Sequence, residues 1–61
     1  MNADLKGTLA RVNKVYRLFE HNGKPMSKEQ VEKVLIYGIE KGYTLLSEIS
    51  NDEIDSIINE L

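Results

Sequence analysis

Between Leu5 and Phe19 a set of apolar residues stands at Leu5, Leu9, Val12, Val15, Tyr16 and Phe19. That is the i, i+3, i+4, i+7 spacing of one helical face. The pattern predicts an amphipathic helix over about 3–21, with Arg11, Lys14 and Arg17 recurring every three residues on the opposite side. Asn2 is placed to cap its start, and Asp4 falls in the first turn, where the helix dipole favours an acid. Gly7 weakens that turn by about 1 kcal/mol relative to Ala. Asn22-Gly23 reads as the helix end, with Gly supplying the left-handed residue that follows the last turn.

Lys24-Pro25-Met26 reads as a short connector, because proline lacks an N–H and disfavours helix in the residue before it. Ser27-Lys28-Glu29-Gln30 then fits a capping box, in which the Ser and Gln side chains satisfy backbone donors at each other's positions. A second helix follows over about 28–41, closed by Lys41 and Gly42. Val31, Val34, Leu35 and Ile39 mark its buried side, and Gly38 falls among them, so a core-facing glycine with close backbone approach is expected. Ile36 and Tyr37 project elsewhere. Thr44 can cap a short extra helical turn at 45–49. Ser50-Asn51-Asp52-Glu53 is a second capping box and opens a third helix over about 51–60. Ile54, Ile57, Ile58 and Leu61 form its apolar stripe. No segment shows the alternation of a strand. The fold class expected is all-α: a compact three-helix bundle in one small domain over 1–61.

Composition adds constraints. At 61 residues only about 60% of the unfolded surface can be buried, so stability rests on efficient packing. There is no Cys and a single His, which removes disulfides and thiolate metal sites. No run approaches the roughly 18 apolar residues of a membrane span. Met1 to Lys6 has an early acid and no apolar stretch, unlike a secretory signal. A cytoplasmic protein away from membranes is therefore expected. The net charge of −2 conceals a polarity. Lys6, Arg11, Lys14, Arg17, Lys24 and Lys28 outnumber Asp4 and Glu20 in the first half. Beyond Lys28, Lys33 and Lys41 face eight carboxylates.

Catalysis finds no support, because a nucleophile needs a base within reach and an orienting group. His21, at the predicted helix end, reads as structural. Asp52, Glu53 and Asp55 lack the alternating oxygen ligands and the turn glycine of a calcium loop and are explained by the helix start. Neither Gly38 nor Gly42 belongs to a phosphate-cradling loop. No enzyme activity, cofactor or metal is expected. Two surfaces remain as candidate partner-binding sites. One is the basic stripe Arg11, Lys14 and Arg17, which otherwise is a solvated helix face. The other is Ile36 with Tyr37, an interface anchor if exposed and core if the bundle wraps helix 2 fully. The reading is a non-enzymatic protein–protein interaction or adaptor module, its partner a protein with an acidic or apolar patch. Weak self-association, stripe against C-terminal helix, is compatible with the bipolar charge. The alternative is a small nucleic-acid-binding regulator using the basic face of helix 1. Nucleic acid ranks second because Glu48, Asp52, Glu53 and Asp55 occupy the helices that would dock and repel phosphates.

Overall fold

The computed structural model describes residues 4–60. The chain runs α1 (Leu5–Ala10), α2 (Val12–Val15), a 3-10 turn (Tyr16–Leu18), β1 (Glu20–His21), β2 (Lys24–Pro25) and α3 (Lys28–Glu40). A second 3-10 turn (Leu46–Glu48) and α4 (Asn51–Asn59) complete it. The fold is mostly helical with one small antiparallel hairpin, which corrects the all-α expectation.

The correction lies in the first third. The single helix expected over 3–21 is broken three times. Asp4, not Asn2, is the observed cap: its Oδ2 accepts from the Gly7 N–H at 3.0 Å, and Asn2 lies outside the described residues. At Arg11 the backbone leaves helical geometry, with φ −113° and ψ 17°. Gly7, Thr8, Val12, Asn13, Val15 and Tyr16 are all weaker helix formers than Ala, Leu or Lys, so little local energy resists the kink. After Leu18 the chain extends into β1. Asn22 and Gly23 then take positive φ, 55° and 77°, as both central residues of a type I′ hairpin turn must. Asn-Gly therefore closes a hairpin rather than ending a helix. His21 pairs with Lys24 and Glu20 with Pro25. The Met26 N–H continues the ladder to the Phe19 carbonyl at 3.0 Å, which turns Met26 into the core. His21 thus belongs to a strand, not to a helix end.

The later elements follow their local signals. Ser27 Oγ accepts from the Gln30 N–H at 3.1 Å, and Gln30 Oε1 accepts from the Ser27 N–H at 2.9 Å. At the other end of α3, Gly42 has φ 87°. Its N–H donates to the Ile39 carbonyl, and the Tyr43 N–H donates to the Gly38 carbonyl at 2.9 Å. This pair of bonds is the Schellman closure, and it folds Tyr43 back beside α3. Thr44 does not cap the extra turn. Glu48 Oε1 instead accepts from the Thr44 and Leu45 N–H groups at 3.1 and 3.0 Å. Ser50 caps α4 as its sequence predicts, accepting from the Glu53 N–H at 3.2 Å. Leu61, expected in the α4 stripe, lies outside the described residues.

The core is Leu5, Val12, Met26, Val31, Val34, Leu35, Ile49 and Ile57. The first arm, meaning α1, α2 and the first 3-10 turn, packs on α3, and α4 packs on α3 from elsewhere. The Leu5 N–H donates to the Thr44 carbonyl at 2.9 Å, tying the start of the arm to the loop beyond α3. Among the described residues no helix is long and apolar enough to cross a membrane.

Gly38 is buried on α3, as expected. A Cβ there would lie 2.7 Å from Leu5 Cδ1 and 2.8 Å from Ile49 Cδ1. Gly38→Ala gains about 1 kcal/mol of helix propensity but must displace two methyls from opposite elements, an overpacking that costs about 1–3 kcal/mol. The expected outcome is a net loss of stability of about 1 kcal/mol, read as a lower urea midpoint at unchanged m-value. A raised midpoint would mean that Leu5 and Ile49 yield freely.

Candidate functional site

The basic residues of the arm all face outward. Arg11 stands at the kink, and its Nε donates to the Gly7 carbonyl at 3.3 Å. Lys14 is exposed on α2. Arg17 is exposed in the 3-10 turn, with its guanidinium carbon 5.9 Å from the centre of the Tyr16 ring. Behind them Val12 is buried, and Val15, Tyr16 and Phe19 are half-buried. All three cations are on the solvent side of the arm. Among the described residues none of them pairs with a carboxylate, the sole ion pair being His21 with Asp55.

A fourth residue shares that side. Leu18 is 77% exposed, although a continuous helix would have set it in a regular turn. It follows Arg17 at the point where the chain leaves the 3-10 turn for the hairpin, so no later turn covers it. A continuous helix would already set Leu18 four residues from Lys14 and seven from Arg11, on the basic side, and sequence reasoning passed over it because it is not part of the apolar face.

Ile36 and Tyr37 part company. Ile36 is 43% exposed on α3. Tyr37 is half-buried, and its hydroxyl donates to Glu53 Oε2 at 2.6 Å. Lys41 Nζ lies 5.7 Å from the centre of its ring. The Tyr43 hydroxyl donates to the same Oε2 at 2.9 Å, while Oε1 accepts from the Ser50 N–H at 2.9 Å. One carboxylate therefore joins α3, the loop beyond it and the start of α4. Hydrogen bonds to the charged form favour it. The Tyr37 hydroxyl, the Ser50 N–H and the Tyr43 hydroxyl together hold the Glu53 carboxyl down at about 2. The same bond, with desolvation, pushes the Tyr37 hydroxyl up to about 12, and Tyr43 is raised for the same reasons. This is a structural tie. Beside it runs a shallow cleft of about 260 Å³, lined by Tyr37, Asp52, Glu53, Ser56, Ile57 and Glu60.

A second polar tie joins the hairpin to α4. His21 Nε2 and Asp55 Oδ1 lie 2.5 Å apart, the His side chain 9% exposed and the Asp 48%. Asn22 Nδ2 donates to the same Oδ1 at 3.4 Å. The pair borders a cleft of about 270 Å³ lined further by Lys24, Pro25, Met26, Gln30, Ile58 and Asn59. An imidazole oriented by a carboxylate is two-thirds of a nucleophilic triad, but no hydroxyl or thiol side chain lines this cleft. The arrangement holds the hairpin against α4. Among the described residues no three His, Cys, Asp or Glu side chains cluster to hold a metal.

Comparison with protein families, with characterised proteins and with solved structures finds no match for this chain.

The Glu53 tie has a pH signature. As pH falls from about 4.5 to about 2, the unfolded chain takes up the proton first, so the tie stabilises the fold above that window and is lost within it. The tyrosine side has the opposite sense: the stabilisation is complete below about 10 and is lost as pH rises toward about 12. Urea midpoints of wild type and Glu53→Gln, compared between pH 7 and 2, are expected to converge at the acid end. A constant gap would show that the carboxylate charge contributes nothing.

Proposed function

We propose that this chain is a small non-enzymatic protein-interaction module, and that its contact surface is the outward side of the first arm. Arg11, Lys14 and Arg17 form the charged rim, and Leu18 is the apolar centre. The scaffold is best read as a three-helix bundle whose first helix is interrupted, with the hairpin filling the gap.

The observation that carries this reading is the 77% exposure of Leu18 among cations that have no carboxylate partner among the described residues. Burying a Leu side chain releases about 1.5–3 kcal/mol, enough to anchor a weak complex. Rim charges add orientation and rate of encounter more than affinity. The fitting partner is an acidic protein surface with one apolar pocket. A nucleic acid fits less well. Phosphate tracking needs cations spread along a path, and here they are confined to one arm of a chain whose second half is strongly acidic.

The reading is tested by titrating the labelled chain with a synthetic acidic amphipathic helical peptide, Leu at i, i+3, i+4 and i+7 with Glu between, followed by amide chemical shifts. Shifts are expected to concentrate at Arg11–Leu18. Leu18→Ser is expected to weaken binding about tenfold, equivalent to about 1.4 kcal/mol, and Lys14→Glu with Arg17→Glu to abolish it. Folding stability is expected to stay within about 0.5 kcal/mol, because these are surface positions. Tighter binding of random duplex DNA than of the peptide, lost in the same variants, would replace this reading with the nucleic-acid one.

A further inference from the structure

Among the described residues the exposed large apolar side chains are Leu18 and Ile36, at 77% and 43%. Their surroundings have opposite charge. Leu18 stands with Arg11, Lys14 and Arg17. Ile36 stands on α3 between Glu32, four residues before it, and Glu40, four residues after it, with Glu29 one turn further back. Residues three or four apart are neighbours on a helix surface, so Ile36 has a carboxylate on each side along the helix. Lys33 is the cation within this frame. Glu29 and Glu40 are exposed and Glu32 is half-buried.

We infer that the α3 face centred on Ile36 receives the Leu18 arm of a second copy of this chain. The inference rests on the reading of the arm given above and assigns it a partner. Charge and apolar complementarity together select α3 over the acidic α4. On α4 the Glu53 carboxylate is occupied by Tyr37, Tyr43 and Ser50, and Asp55 by His21 and Asn22; Asp52 and Glu60, at the two ends of that helix, are exposed without such a bond, so the choice turns on the apolar residue. No such bond engages Glu29, Glu32 or Glu40 among the described residues, so these carboxylates can meet cations without breaking an internal tie. The apolar residues of α4 are also covered, Ile57 buried and Ile54 and Ile58 half-buried, leaving no counterpart for Leu18 there. Within one molecule the arm is committed to the Val31, Val34, Leu35 and Gly38 side of α3, so its outward face meets Ile36 only on another copy.

Each copy carries both halves. Two copies pair reciprocally if a twofold closes the contact, and otherwise they join head to tail. Exposed ion pairs contribute only about 0–1 kcal/mol each, and one Leu and one Ile are the apolar anchors, so the association is weak and salt-dependent. It is strongest near 0.01 M salt, where the screening length is about 30 Å, and lost near 1 M, where it is about 3 Å.

Sedimentation of the full chain over a concentration series tests this. Wild type is expected to sediment faster with rising concentration at low salt and as a monomer at high salt. Two variants separate the faces: Lys14→Glu with Arg17→Glu on the arm, and Glu32→Lys with Glu40→Lys on α3. Each is expected to be monomeric alone, and the two mixed are expected to associate again, because reversed arm then meets reversed α3. Circular dichroism confirms that both variants fold. Leu18→Ser and Ile36→Ser are each expected to remove association with the charges intact. If wild type is monomeric throughout yet still binds the acidic peptide at the arm, the inference falls and the reading of the arm stands. If it does neither, both fall. Self-association that survives Glu32→Lys with Glu40→Lys overturns the assignment to α3.

Discussion

Gly38 has no side chain, and the methyl ends of Leu5 and Ile49 converge within 3 Å of where a Cβ would stand. That convergence fixes the arm, the loop after α3 and α3 itself in one packing arrangement. Leu5 is fully buried by it. The Gly38 carbonyl also accepts the Tyr43 N–H that closes α3. Closing α3 in this way returns Tyr43 toward α4, where its hydroxyl meets Glu53. A glycine costs about 1 kcal/mol inside a helix. Here it brings three elements to contact distance and sets the direction in which the chain leaves the helix.

Much of the architecture beyond Ser27 was legible because its signals are local. A Ser with Gln or Glu three residues on satisfies helix-start donors whatever the rest of the chain does, and both such boxes formed. The position of Gly38 followed from Val31, Val34 and Leu35 by helical geometry alone. The first third was less legible for two physical reasons. Its apolar spacing is helical, yet Gly7, Thr8, Val12, Asn13 and Val15 supply little helical propensity, so packing decided where the chain bends. Asn-Gly tolerates positive φ and therefore suits both a helix end and a hairpin turn. The flanking segments choose between them, and strands of two residues are too short to show alternation.

The polar ties were illegible for a different reason. His21 and Asp55 are 34 residues apart, and Tyr37 and Glu53 are 16 apart. No spacing rule links such pairs. The sequence explains why Glu53 begins α4, since it belongs to the capping box. It does not say that the second oxygen of the same carboxylate receives two tyrosines. A chain without cysteine relies on such contacts, because hydrogen bonds to an ionised group are roughly twice as strong as neutral ones and can join elements that share little apolar surface. Tyr37 illustrates the consequence. The sequence left it either an interface anchor beside Ile36 or part of the core, and its hydroxyl is turned to an internal acceptor.

This use of carboxylates inside the molecule changes what its charge means. Counted along the chain, the acidic half is a single block. Sorted by hydrogen bonding, it divides into acids that hold the fold and acids that face outward with no partner among the described residues. Those of the second group on α3 flank an exposed Ile along the helix, and an exposed Leu follows the unpaired Arg17 of the arm. A single exposed apolar residue means little on any surface. On the proposal above, two of them, one set among cations and one between Glu32 and Glu40 with Lys33 beside it, make a complementary pair. Leu18 is the last residue of the arm's 3-10 turn, and Ile36 lies outside the Val31, Val34, Leu35 and Gly38 set that α3 buries. On the same proposal, contact with another molecule buries them, and the charges around each decide which kind of surface that molecule presents.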